Sequence, residues 1–357
     1  MASAEIDLDP TIVAFVHTAY DVLLGREPES ADIVATHASG TPTEVVRAIG
    51  ASNEFHDRIG RTSPFYHYNA RIEAEAIIQR HARTDLQSDP RYRTNFLGVR
   101  VDPKILPSQM TERGGIIEPV PIPANWHADI AEWAAALRAV ELSADVFTMV
   151  ELGCGWGCWM NNTGVAARTS GRGVQLIGVE GDAGHIAFAR ETCAANGFAP
   201  EDVSLHHGIA AARTGVALFG RQDRAGESWG LEPVFGADAV EQERLLATGR
   251  YEALPMIALA DVIGSGILDL LHIDIQGGEA DLVRDCLPLL TQRVAYLVIG
   301  THSRSIEGRL FADLLEAGWC LEIERPAILA LTGVEPEIRV DGLQGWRNPH
   351  LRPLTTA

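Results

Sequence analysis

The sequence has no run of about 18 apolar residues, and no basic start followed by an apolar stretch and a cleavage site. Neither membrane insertion nor secretion is therefore expected, and a cytoplasmic location is. Bases are scarce: 29 Lys and Arg stand against 48 Asp and Glu, a net charge of −19. Nucleic acid and anionic membrane both require clustered cations, so neither is expected as the main partner. Cysteine is sparse too, and five residues without metal-ligand spacing fit a reducing compartment better than a disulfide framework. At 357 residues, two domains with a sizeable core are expected.

Glycine, by contrast, is placed with purpose. Running into VELGCGWG, Val150 to Gly157, the apolar residues Phe147, Met149, Val150 and Leu152 read as a strand covered on both faces. Gly153, Gly155 and Gly157 follow, so the chain can turn sharply and a ligand can lie against bare backbone. The dinucleotide fingerprint needs a third glycine where Cys158 stands. Glu151 would repel a pyrophosphate but suits a cation, such as an ammonium beside a sulfonium. The run resembles the acid-x-Gly-x-Gly-x-Gly motif of S-adenosyl-L-methionine (SAM) dependent methyltransferases. A second apolar strand, Val174 to Asp182, ends in Glu180, an acid placed to accept ribose hydroxyls from SAM or NAD alike. Residues 159–168 supply the crossover helix between the two strands.

The resemblance implies that Glu151, Gly153, Gly155, Trp156, Glu180 and Asp182 bind SAM, that His207, Gly208 and Ile209 lie beside the adenine, and that Gln276 lies near the methionine end. An NAD-dependent oxidoreductase is the rival, disfavoured by Glu151 and Cys158.

Residues 9 to 60 read as three or four short helices, punctuated by Asp9–Pro10, Gly25, Pro28 and the capping box of Thr41, Pro42 and Glu44. FVHTAYDVLLGREPES and GTPTEVVRAIGASNEF resemble a small helical domain of unknown function that recurs beside bacterial glycosyltransferases and surface-associated proteins. A docking module and a packing appendage both fit it. The expected domains are a helical module over 1–62, a helix and irregular wrapping linker over 63–126, and a methyltransferase domain over 127–357. Trp126, His127 and Asp129 either cap the active-site mouth or terminate a helix and fill a groove.

ILDLLHIDIQGGEADLV carries polar groups at the tip of a buried strand, His272 and Asp274, where a lone charge would cost on the order of 3 to 5 kcal/mol. The next strand ends at His302, and adjacent strands would bring Asp274 and His302 together. The pair suits general-base catalysis, His302 removing a hydroxyl proton and Asp274 orienting it, with His272 as a further catalytic candidate. Two alternatives stay open: Asp274, Glu279 and His302 could hold a divalent metal, or His272 and Asp274 could be a structural pair. The stretch 218–254, with Ser228 and Trp229, is longer than a tight connection and reads as a substrate-covering loop or a surface insertion.

With IDIQGGEADLV, residues of about 145 to 345 resemble the FkbM family of SAM-dependent O-methyltransferases, although the family usually has lysine at His272 and Asp-Val-Glu-Gly where this chain has Asp-Ile-Gln-Gly. The resemblance implies a doubly wound, Rossmann-like α/β fold with a seven-stranded, mostly parallel sheet, beside the small all-α N-terminal domain. It implies methyl transfer to a hydroxyl, with no resident metal, on a sugar of a surface polysaccharide, its precursor or a glycosylated metabolite. The partners to expect are a small-molecule or glycan acceptor, a second copy of the chain, and a glycosyltransferase reached through the N-terminal module. A non-catalytic scaffold in a glycan-assembly complex and a metal-dependent O-methyltransferase are the alternative functions.

Overall fold

The computed structural model describes residues 8–106, 114–334 and 336–354, so the first seven residues of the expected helical module and 107–113 of the expected linker lie outside the described residues. Contacts divide the chain into two units, Met1–Tyr66 and His67–Ala357. In the first, Pro10–Leu24, Ala31–Ala38, Pro42–Gly50 and Asn53–Thr62 are helical. Asp9 caps the first helix and Thr41 with Glu44 forms the capping box, but the second begins after Ser30, whose hydroxyl accepts from Ile33 N, rather than at Pro28. Val16, Ala19, Tyr20, Val45 and Ile49 form its core.

The second unit is built on one sheet: β1 (Asn69–Ala70), β2 (Val146–Leu152), β3 (Gly173–Glu180), β4 (Val203–His207), β5 (Leu270–Ile273), β6 (Tyr296–Thr301), β7 (Cys320–Arg325) and β8 (Gly342–Arg347). Their order is β1-β7-β8-β6-β5-β2-β3-β4. Strands β2 to β6 pair parallel, whereas β8 runs antiparallel to both β6 and β7. Among the described residues the sheet has eight strands rather than the expected seven, because Asn69 and Ala70 pair along the free edge of β7. The last strand is 342–347, and residues 337–340 pair with 328–330 in a separate hairpin.

Strand residues alternate between two cores, as period two requires. Phe147 and Met149 face α1 (Ile130–Leu142), α2 (Cys158–Thr169) and α3 (Ala183–Ala195), while Val150 and Leu152 face α4 (Glu279–Arg293) and α5 (Arg304–Glu316). After β4 the chain breaks at Gly208, and 209–211 joins a second sheet with 215–220 and 251–258. Helix 239–247, carried on the long excursion between them, buries none of its residues.

The strand order reverses between β2 and β5, and open parallel sheets bind ligands at the carboxyl ends flanking such a point. Gly153 follows β2 with φ +73°, and a Cβ built there would lie 1.9 Å from the Asp274 carbonyl oxygen that follows β5. Gly171, at φ +82°, has nothing within 4 Å. Gly171→Ala should therefore cost only the left-handed backbone term, about 1–2 kcal/mol, and Gly153→Ala at least about 2 kcal/mol more. Urea unfolding of both variants measures the difference, and equal losses would deny the close approach.

Candidate active site

Glu151 is buried at 2% exposure, and its carboxylate accepts from Trp159 N at 3.0 Å and Met160 N at 2.9 Å, both in the first turn of α2. This departs from the expectation that it faces the ligand: Glu151 ties the glycine turn to the helix. The same bonds occupy amides that would otherwise receive a pyrophosphate, so the objection to NAD stands on a different footing. Burial raises its carboxyl to about 7. Trp156 is buried, stacked on Trp126 with centroids 6.0 Å apart, so its side chain joins an aromatic cluster with His127, Trp133 and Trp159.

Glu180 accepts from Gly155 N at 2.9 Å and from Asp182 N at 2.8 Å, which draws the tips of β2 and β3 together. Asp182 caps α3 by accepting from His185 N at 2.8 Å. His207 Nε2 lies 2.9 Å from the Gly181 carbonyl oxygen, and the Gly208 amide donates to Glu180 O. A Cβ at Gly208 would come 2.6 Å from the Pro255 carbonyl oxygen, and Ile209 is buried beside Phe219. Asp129 caps α1 through Ala131 N and Glu132 N and pairs with Arg325, which is the helix-terminating role. Burial, then the charge of Arg93, lowers the His127 imidazole to about 3.

Asp274 and His302 do meet: His302 Nε2 is 3.2 Å from Asp274 Oδ1. Glu279, fully buried, holds the other ring nitrogen at 2.9 Å and accepts from the amides of Ile275 and Gly277. Burial alone would lower this imidazole, but two carboxylates raise it to about 10. At about 10 the His302 imidazole keeps its proton at neutral pH, whereas the expected base role needs the ring free: the sequence reading supplied one carboxylate and the fold supplies two. Partial desolvation by its neighbours would raise the half-exposed Asp274 carboxyl, but the bond and charge of His302 hold it low. His272 belongs elsewhere. It is 2% exposed, 3.2 Å from Glu132 Oε1 and stacked on Trp159, and its Nδ1 has no partner among the described residues.

Asp274 Oδ1 takes both His302 and the Gln276 side-chain amide, the latter at 3.0 Å, and no described residue donates to Oδ2. Gln276 has φ +57°, a left-handed conformation that costs a non-glycine residue free energy and that clusters at functional sites. Ligand atoms of Asp274, Glu279 and His302 all lie within 4.8 Å of one another, a spacing that a metal ion could use. Sequence reasoning missed Glu132, the shared acceptor of Trp159 Nε1 and His272, and the stacking of His185 on Trp229. Both contacts join residues far apart in sequence, so no local pattern marks them.

No family model matches the chain. A protein of Jannaschia sp. (strain CCS1) whose name is that of a methyltransferase is 46% identical over 256 residues, 72% of this chain and 92% of the relative. The chain belongs to this methyltransferase family, and its methyl donor is S-adenosyl-L-methionine. Among solved structures it is similar to the methyltransferase FkbM from Methylobacillus flagellatus KT, at 13% identity and a TM-score of 0.37 over 61% of this chain and 54% of that one. It is also similar to precorrin-6y C5,15-methyltransferase from Geobacter metallireducens GS-15, at 10% identity and a TM-score of 0.32 over 59% and 86%. Scores this low carry no conclusion about substrate.

The residues present fit that cofactor. Gly155, at φ +51°, puts side-chain-free backbone in the turn, Glu180 offers a carboxylate at the strand tip, and neither 153–159 nor 180–185 contains a lysine or arginine for a pyrophosphate.

The linkage of His302 has a definite sign. Its folded pKa, about 10, exceeds the unfolded value of about 6.5, so its stabilisation is complete below about pH 6.5 and disappears as pH rises through 10. NMR titration of the imidazole should show it protonated through pH 8, and Glu279→Gln should lower its midpoint. A wild-type midpoint near 6.5 would contradict the double-carboxylate account.

Proposed function

We propose that this methyltransferase transfers the methyl group of SAM to a hydroxyl, on a sugar of a surface polysaccharide, its precursor or a glycosylated metabolite, as an FkbM-type enzyme. The observation that carries the reading is Asp274 Oδ2, an acceptor without a donor among the described residues, on a half-exposed carboxylate beside the glycine turn. An acceptor-only oxygen selects a group that brings its own hydrogen, as a hydroxyl does. The net charge of −19 further disfavours a polyanionic acceptor such as RNA.

Bound SAM supplies the electrophilic methyl on its sulfonium. Gly155 would give the cofactor bare backbone, and Glu180 would receive its ribose hydroxyls. Asp274 Oδ2 accepts the hydrogen of the substrate hydroxyl and takes its proton as the oxygen attacks; alignment of oxygen and methyl provides the larger share of the rate. Protonated His302 and Gln276, both on Oδ1, fix the carboxylate, and Glu279 fixes His302.

Asp274→Asn should lower turnover by at least about 100-fold while S-adenosylhomocysteine affinity changes less than about threefold. Retained turnover in an assay with sugar acceptors would remove Asp274 from the chemistry. The rate should be level between pH 6 and 9; a steady rise toward pH 10 would restore His302 as the base.

The metal-dependent reading keeps one favourable observation, the spacing of Asp274, Glu279 and His302. Glu279, however, already accepts from two backbone amides and a ring nitrogen. EDTA should leave turnover unchanged, and a loss restored by Mg²⁺ would favour the metal instead.

A further inference from the structure

Segment 222–230 folds on itself through two internal hydrogen bonds and rests on His185 through Gln222 and Trp229. Gln222 Oε1 accepts from Ser228 N at 2.8 Å, and its amide nitrogen lies 3.3 Å from His185 Nε2. Trp229 lies flat on the His185 ring, with centroids 4.0 Å apart and planes within 5°, and donates its Nε1 hydrogen to Gly226 O at 3.1 Å. His185 in turn stands 3.7 Å from Glu180 Oε1, the carboxylate assigned to the ribose. The same indole covers Gly155, whose added Cβ would lie 3.0 Å from the ring. Gly230 then faces Gln276, whose Oε1 would be 3.2 Å from a Cβ on that glycine.

One side chain thus spans the bare backbone of the glycine turn and the neighbourhood of Glu180. A nucleoside held by Glu180 and lying against Gly155 requires that same space. We propose that Trp229 sets the affinity of the cofactor cleft: its indole and the nucleoside compete for the space over Gly155, so segment 222–230 must turn the ring out before the cofactor enters. The proposal rests on the assignment of the cofactor to Gly155 and Glu180. Its physical content is a closed form and an open form, with the apparent affinity reduced by the fraction of the chain that is open.

The Trp229–His185 stack and the Gln222 bridge hold the closed form, so removing either should raise cofactor affinity. The test is calorimetric titration of the full chain with S-adenosylhomocysteine. Trp229→Ala should bind about 3- to 10-fold more tightly than wild type, the factor expected for release of an aromatic stack. Gln222→Ala keeps the ring but loosens its support, so it should shift affinity in the same direction by a smaller factor; it serves as the second probe if Trp229→Ala does not fold. Unchanged or weaker binding by the folded variants would overturn the proposal, weaker binding meaning that the indole packs on the bound nucleoside. Wild-type binding with no gain in either variant sinks the competition alone. No binding by wild type or by either variant sinks the cofactor placement and the competition with it.

Discussion

The site depends on one close approach, the bare Cα of Gly153 against the carbonyl of Asp274. It sets the tips of β2 and β5 side by side at the point where strand order reverses, so the glycine turn and the polar residues after β5 share one rim. Neither partner could be a side chain. A Cβ at Gly153 would meet a carbonyl oxygen, which cannot rotate away as the end of a flexible side chain can. The hydrogen bonds of Glu151 to α2 and of Glu180 to Gly155 then fix the turn from beneath and from the side.

Electrostatics in this rim follow from a shortage of cations. Asp274 and Glu279 gather around His302 with no lysine, so the histidine bears the positive charge and each carboxylate is defined by its donors. Glu151 and Glu279 are wholly engaged by backbone or ring N–H groups, which makes them parts of the frame. Asp274 is engaged on one oxygen only. That asymmetry, more than the presence of an acid, is what the proposed role of Asp274 toward the acceptor rests on.

Much of this was legible in the sequence where a pattern is local. The strand before Gly153, the glycine turn, Glu180 at the end of the next strand and the capping box at Thr41 each follow from spacing within about ten residues. The meeting of Asp274 with His302 was legible too, because parallel strands at successive positions bring their tips together. Side-chain direction was not. Glu151 lies at the register position of His272 on the adjacent strand, yet turns toward the amides of α2, and His272 finds Glu132 on a helix 140 residues earlier in the chain. The eighth strand escaped notice because two residues show no periodicity, and edge pairing alone makes Asn69 and Ala70 a strand. The break at Gly208 was hidden for a related reason: residues 203–211 are continuous in sequence but pair with two different sheets.

The account stands or falls on the glycine turn as the SAM site. The most direct measurement is calorimetric titration of the wild-type chain and of Gly155→Val with S-adenosylhomocysteine and, separately, with NAD. The account predicts that the wild-type chain binds S-adenosylhomocysteine and not NAD, and that the valine, built onto a left-handed backbone at the cleft floor, abolishes that binding while the fold persists by circular dichroism. Undiminished binding in a folded Gly155→Val, or preference for NAD, would contradict it.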